Sequence, residues 1–221
     1  MEISKSVLTQ TQNVAIIFGV ITAIIGLFRF QFFKGTPIQL FIILLIYTSV
    51  NELFCIWLVS SGLVKNNLFF YNIYFVINYL VLFRIYYKAL QTIVYKKIVL
   101  LALSLYLLSF CMNMFFEDYR YELQSFPYII GACGLIVVIS TYFSELLKSE
   151  QVLYVSQNAL FWISIGLLLF SVGYIPFSIV RNYYGDLDGI SFLFMIIVVL
   201  SILMNIFFSI GLLWSNKKRP Y

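Results

Sequence analysis

One ionisable side chain in this sequence stands in the middle of an apolar stretch. Glu52, preceded by Asn51, lies inside residues 38–59, a run long enough to cross a bilayer. A charged group at that depth costs roughly 2.5–3.5 kcal/mol on insertion scales, so it usually faces the interior of a helix bundle or a wet cavity. Glu52 is therefore the leading candidate for a functional site.

Small polar side chains share the helical face of Glu52. Thr48, Ser49 and Cys55 lie four and three residues before it and three residues after it. Residues at these spacings are neighbours on a helix, so their hydroxyl and thiol groups can hydrogen-bond the carboxyl group. A second interpretation stays open, in which a protonated Glu52 links two helices and binds no ligand.

Polar residues of several apolar segments fall at one depth. Counted from the predicted outer helix ends at ~1.5 Å per residue, one member of each of five helices lies roughly 13–17 Å deep. We expect a buried pocket that opens toward the outside and is lined by Glu52, Asn51, Asn78, Thr22, Ser171, Tyr174, Ser201 and Asn205. The alternative is that each hydroxyl bonds its own backbone and each asparagine bridges neighbouring helices.

The residue inventory disfavours catalysis. The chain contains no histidine, which removes histidine-based proteolysis and His-ligated zinc or haem sites. It also contains no Gly-x-Ser-x-Gly motif, no phosphate-binding glycine loop and no paired carboxylates inside an apolar run. A retinal protein would need a lysine buried in a helix, and the seventh segment has none before Lys217. We expect no enzymatic activity, no metal and no cofactor.

The elements that must position these residues are membrane helices. With 62% hydrophobic and 10% charged residues, the composition is that of a polytopic membrane protein. The sequence predicts an all-α bundle in one domain, residues 1–221, whose seven helices cover about 14–30, 38–60, 68–90, 98–116, 127–147, 158–180 and 190–214. Tyrosines near both ends of the third helix are typical of an interfacial aromatic belt.

A hinge is predicted in the sixth helix. Pro176 lies inside that helix, three residues after Gly173. A proline within a helix removes one backbone hydrogen bond and bends the helix, which is common in membrane bundles. We expect Gly173 and Pro176 to let this helix bend.

The distribution of lysine and arginine predicts the orientation. With the N-terminus outside, ten of the fourteen basic residues face inward, among them the sequence Lys217-Lys218-Arg219. The C-terminus is then cytoplasmic. Because the basic residues stand at helix ends, they indicate contact with the lipid bilayer and topology, and we expect no nucleic-acid binding.

Several short motifs stand in and between the predicted helices: Asn51-Glu52, the turn Lys65-Asn66-Asn67, YNIYF at 71–75, LFRIYY at 82–87 and FWISIG at 161–166. In these motifs the chain resembles small seven-helix membrane proteins of Bacteroidota. That group has no settled activity. The resemblance implies a protein of the bacterial inner membrane with a sensing role.

These observations favour a receptor-like or sensory membrane protein. A small molecule would enter from the outer side, and a separate cytoplasmic or membrane protein would dock at the basic inner loops. The first alternative is a small-solute or proton-coupled transporter that uses Glu52, although no repeat with matching prolines is visible between the two halves. The second alternative is a structural subunit of a membrane complex.

Overall fold

The structure, a computed structural model, describes residues 5–183 and 190–215 of the chain. This part is built of seven long helices with no strand: α1 Lys5–Arg29, α2 Pro37–Ser60, α3 Leu68–Ala89, α4 Ile93–Asn113, α5 Ser125–Leu147, α6 Ala159–Tyr183 and α7 Ile190–Trp214. By length and composition, each contains a segment that can cross a membrane. The predicted all-α, seven-helix class is confirmed, and the protein is an integral membrane protein.

Several helices extend beyond the apolar runs from which they were predicted. α1 begins at Lys5, ahead of the expected start at 14, and α4 begins at Ile93 instead of 98. A short 3₁₀ helix, Glu150–Gln157, between α5 and α6 was not expected. Apolar runs mark the part of a helix that can lie in hydrocarbon, whereas backbone hydrogen bonding continues into the polar residues beside it.

Each helix packs against two or three others. The most extensive contact joins α6 to α7, and α1 packs against both α7 and α2. α3 packs against α2, α4 and α5, and α5 packs in turn against α4 and α6. These contacts close a ring of six helices, α1, α2, α3, α5, α6 and α7, and α4 lies outside the ring against α3 and α5.

The bundle has two chemically different ends. The acidic end carries the loops 61–67 and 114–124, and the basic end carries the loops 30–36, 90–92 and 148–158. At the acidic end, the Asn72 amide donates to the carbonyls of Tyr119 and Glu122, both at 2.8 Å, which fixes the α4–α5 loop on α3. Five further charged residues that fit the predicted orientation lie outside the described residues: Asp186, Asp188, Lys217, Lys218 and Arg219.

Buried side-chain hydrogen bonds hold α3 and α5 to the start of α6 in the basic half of the bundle. The hydroxyls of Tyr86 and Ser164 lie 2.7 Å apart in the core. The Tyr142 hydroxyl donates to the Oδ1 atom of Asn158 at 3.2 Å. The same Oδ1 atom also accepts a hydrogen bond from the Phe161 backbone amide. A buried tyrosine hydroxyl requires such a partner, so these pairs define how the three helices meet.

A carboxylate from α5 holds the start of α4. The two oxygens of Glu145 accept the backbone amides of Gln91 at 2.7 Å and Thr92 at 3.0 Å. Amides before the first turn of a helix have no partner within it, and the positive end of the helix dipole favours an anion there. Glu145 therefore connects α5 to the α3–α4 turn.

Replacing Glu145 by alanine is expected to lower the melting temperature, because losing a capping group at a helix N-terminus costs about 0.5–2 kcal/mol. Thermal unfolding of the purified protein in detergent measures this. The control is Glu150→Ala, which removes an exposed carboxylate in the next short helix. If both variants melt alike, Glu145 does not stabilise the start of α4.

Candidate functional site

The carboxyl group of Glu52 lies at the interface of α2 and α3. It is partly buried, and its Oε2 atom accepts a hydrogen bond from the Tyr71 hydroxyl at 2.8 Å. Tyr71 stands in the first turn of α3, which places the carboxyl group in the acidic half of the bundle. A carboxylate can accept about four hydrogen bonds, and among the described residues Tyr71 is its hydrogen-bonding partner.

Other polar side chains of α2 and α3 surround this pair. Cys55 is buried one turn after Glu52 on α2, and Tyr74 follows Tyr71 by one turn on α3. Tyr74 stacks on Tyr47 of α2, with 6.1 Å between ring centroids. The candidate site therefore combines one carboxyl group with the rings and hydroxyls of three tyrosines.

Asn51 contributes an unsatisfied donor next to the carboxylate in sequence. Its side chain is 8% exposed, and the Nδ2 atom has no hydrogen-bond partner among the described residues. A buried donor left without a partner typically costs about 1–3 kcal/mol. A polar group that enters the bundle near Asn51 and accepts this hydrogen bond would recover that energy.

A group of aromatic rings extends from the candidate site into the bundle. We call Tyr79, Tyr106, Tyr128 and Tyr174 the tyrosine cluster. Tyr128 of α5 lies 4.5 Å from Tyr174 of α6 and 5.6 Å from Tyr79 of α3, between ring centroids. The Tyr79 hydroxyl donates to the Tyr128 carbonyl at 3.1 Å. Tyr106 of α4 lies 4.8 Å from Tyr79 between ring centroids, so the rings fill the space between four helices, α3 to α6.

Phe75 connects the candidate site to the tyrosine cluster. Its ring centroid lies 5.5 Å from that of Tyr74 and 4.6 Å from that of Tyr128. Offset and edge-to-face contacts at these distances stabilise aromatic pairs beyond the burial of their area. A displacement of the Tyr74 ring would therefore disturb the packing of Phe75 on Tyr128 of α5. Tyr128 in turn contacts Tyr174 of α6.

Two residues of the expected pocket, Thr22 and Asn205, lie instead in the contact between α1 and α7, and Ser201 lies one turn before Asn205 on α7. The Thr22 hydroxyl donates to the Phe18 carbonyl at 2.8 Å and lies 3.1 Å from the Ser209 hydroxyl. The Asn205 amide donates to the Ser201 carbonyl of its own helix at 2.9 Å. Hydroxyls and amides that bond backbone in this way hold membrane helices together. Their contacts join α1 to α7, whereas those of Glu52 join α2 to α3.

The remaining residues of the expected pocket lie on α3 and α6. Asn78 is partly buried one turn beyond Tyr74, and Ser171 is buried one turn from Tyr174. Tyr174 belongs to the tyrosine cluster through its contact with Tyr128. Of the expected residues, Tyr174 is thus joined to the candidate site by a continuous set of ring contacts.

The two residues of the expected hinge have different surroundings. α6 continues through Pro176, which is exposed, to Tyr183. Gly173 packs against α7 so closely that an added Cβ would overlap the Leu200 side chain. Bending of α6 at this level would therefore also move Leu200. The hinge itself stays a prediction.

Tyr47, Tyr71 and Tyr74 were not among the expected site residues. Tyr71 and Tyr74 lie in the first two turns of α3, a position typical of an interfacial aromatic belt, whereas Tyr47 lies in the middle of α2. The spacing of Tyr71, Tyr74 and Asn78 by three and four residues does place them on one face of α3. That spacing was the available signal, but it does not say that this face meets Glu52.

A concave region lies at the basic end, away from Glu52. It is an open cleft of about 470 Å³ beside the α3–α4 turn, lined by Gln91, Thr92, Tyr95, Glu145 and Lys148, among others. Both Glu145 oxygens accept hydrogen bonds from backbone amides, so this carboxylate already has partners within the protein. No group of three or more metal-binding side chains occurs within residues 5–183 and 190–215.

Comparisons with known proteins do not assign the chain. No family model, curated protein or solved structure matches it. The resemblance to seven-helix proteins of Bacteroidota stays a prediction, and the function has to be argued from the candidate site itself.

Proposed function

We propose that this protein is a receptor-like or sensory protein of a bacterial inner membrane, whose small-molecule ligand binds at Glu52 and whose signal passes to a separate protein. The observation that carries the proposal is the carboxyl group of Glu52. It lies within an apolar span and accepts a hydrogen bond from a hydroxyl, and the preceding residue, Asn51, has an amide with no partner in the part of the chain that the structure describes. Ionisable groups inside membrane spans usually mark binding sites or pathways.

The ring contacts supply a route by which ligand binding at Glu52 can change the packing of α5, α6 and α7. A ligand that changes the position of Tyr74 also changes the packing of Phe75 and Tyr128, and Tyr128 contacts Tyr174 of α6. Because α6 and α7 share the most extensive helix contact, a shift of α6 reaches α7 as well. The partner protein would then detect the change at the basic end of the bundle.

The test is a thermal-unfolding screen of the purified protein against a panel of small metabolites. A ligand present at about 100 times its Kd stabilises the folded state by about 2.7 kcal/mol. For a protein of this size that corresponds to a rise of about 5–10 °C in melting temperature. We expect such a rise for the wild type and its loss in Glu52→Gln, which keeps the shape of the side chain.

Two controls separate binding from folding. Ser104→Ala removes an exposed hydroxyl on α4, which bonds its own backbone, and should leave the response intact. Tyr71→Phe removes the hydroxyl that holds the carboxyl group and should weaken the response. If Glu52→Gln melts as high as the wild type and every response persists in it, Glu52 is a packing residue and the proposal is wrong. If the response is accompanied by flux across proteoliposomes, the protein is a transporter.

A further inference from the structure

Among the described residues, the helices around Glu52 carry no basic side chain near it, and Lys65 of the α2–α3 loop is exposed. α2 has no lysine or arginine. On α3 the first basic residue is Arg84, thirteen positions after Tyr71, or about 20 Å along the helix axis. Within the described spans of α5, α6 and α7, no lysine or arginine lies away from the helix ends. Within the described part of these five helices, no lysine or arginine therefore lies beside the carboxyl group to neutralise it.

Aromatic rings accompany the carboxyl group. Tyr71 contacts it directly through its hydroxyl, and Tyr74, one turn further along α3, stacks on Tyr47 of α2. The faces of such rings carry negative partial charge, and a carboxylate combined with several rings is the usual composition of sites for ammonium groups. The buried Asn51 amide adds a donor that needs an oxygen acceptor.

From these groups we infer that the ligand is a small organic cation, an ammonium compound that also carries a hydroxyl or carbonyl oxygen. The inference rests on the proposed function, because it names the ligand of the same site. The ammonium group pairs with Glu52 and lies against the rings of Tyr47 and Tyr74. Its oxygen accepts a hydrogen bond from the Nδ2 atom of Asn51. The ammonium group can belong to a free amine or to the headgroup of a phospholipid.

The experiment compares cations with neutral molecules of the same shape. The protein is reconstituted in nanodiscs of phosphatidylglycerol, which contain no amine, and titrated with choline and with 3,3-dimethyl-1-butanol. Ethanolamine and ethylene glycol form a second pair. Binding is read by calorimetry and by the melting temperature. We expect a cation to bind, its neutral counterpart not to bind, and nanodiscs that contain phosphatidylethanolamine to show whether a lipid headgroup competes.

Three variants test which groups bind the cation. Removing one member of a desolvated charge pair weakens binding at least about 30-fold, which is the effect expected for Glu52→Gln. Tyr74→Leu removes a ring and should weaken binding about 2- to 30-fold. Lys65→Ala, in the loop between α2 and α3, changes the net charge at the same end of the bundle without touching the site and should have no effect.

The outcomes separate this inference from the proposed function. If a cation and its neutral counterpart bind equally, if neither binds, or if cation binding persists in Glu52→Gln, the inference is overturned. The proposed function still stands in these cases when another metabolite stabilises the wild type but not Glu52→Gln. If no metabolite stabilises the wild type but not Glu52→Gln, both the cation inference and the proposed function are wrong.

Discussion

Replacing Gly131 by alanine is expected to destabilise the folded protein by about 1–3 kcal/mol, the usual effect of overpacking a filled core. A Cβ atom at this position in α5 would lie 2.7 Å from the ring of Tyr79 and 2.9 Å from that of Tyr106. Both rings are almost completely buried, at 2% and 1% exposure, and they pack against each other. Neither ring can move aside without displacing α3 or α4.

The measurement for Gly131→Ala is thermal unfolding in detergent, together with the fraction of protein that elutes as a single species in size-exclusion chromatography. Gly19→Ala is the matched control. A Cβ added there has its nearest neighbour, the Asn205 side chain, at 4.0 Å, which is an ordinary contact. Since alanine is favoured over glycine within helices, Gly19→Ala should melt at the wild-type temperature or above it. Equal melting of the two variants would show that α5 does not depend on Gly131 for its close approach.

Replacing Arg29 by alanine is expected to have an effect of similar size at the basic end. The Nε atom of Arg29 donates to the Leu212 carbonyl at 3.0 Å, and Nη2 donates to the Ser215 carbonyl at 3.3 Å. The guanidinium group also lies 3.9 Å from the centre of the Phe32 ring. The last carbonyls of a helix have no partner within it, and a cation is favoured at that end of the helix dipole. Arg29 therefore fastens the end of α7 to α1.

Hydrogen bonds to charged groups contribute about 1.5–3 kcal/mol, so we expect Arg29→Ala to lower the stability by about this amount. Arg29→Lys should recover only part of it, because an ammonium group cannot reproduce the planar donor geometry of a guanidinium group. Lys34→Ala removes an exposed charge from the following loop and controls for net charge. Thermal unfolding and limited proteolysis at the C-terminal end of α7 are the measurements. An unchanged melting temperature in Arg29→Ala would contradict the fastening role.

Much of the fold follows from composition and from the length of the apolar runs. A buried backbone in hydrocarbon must satisfy its own hydrogen bonds, so a run of about 20 apolar residues can hardly be anything but a helix. This is why the seven helices are predictable, while their ends are less so. The start of α4 at Ile93 depends on Glu145, which is remote in sequence.

The candidate site was only partly predictable. Glu52 stands out by itself, because a carboxyl group is rare inside an apolar run. Its hydrogen-bond partner Tyr71 does not, since tyrosines near helix ends are common in membrane proteins. Counting residues along each helix placed Thr22 at the depth of Glu52 and Asn205 about a turn deeper, but their contacts lie between α1 and α7.

The amino-acid sequence by itself determined that the protein is an all-α bundle of seven membrane helices with one carboxyl group deep within a span. The tertiary structure decided which helices are neighbours, and with them that Glu52 meets Tyr71 and that the rings from Tyr74 to Tyr174 are continuous. The physical reason is that helical periodicity assigns a residue to a face and a depth. The neighbour that this face meets depends on side chains of other helices, such as the glycines that permit close approach.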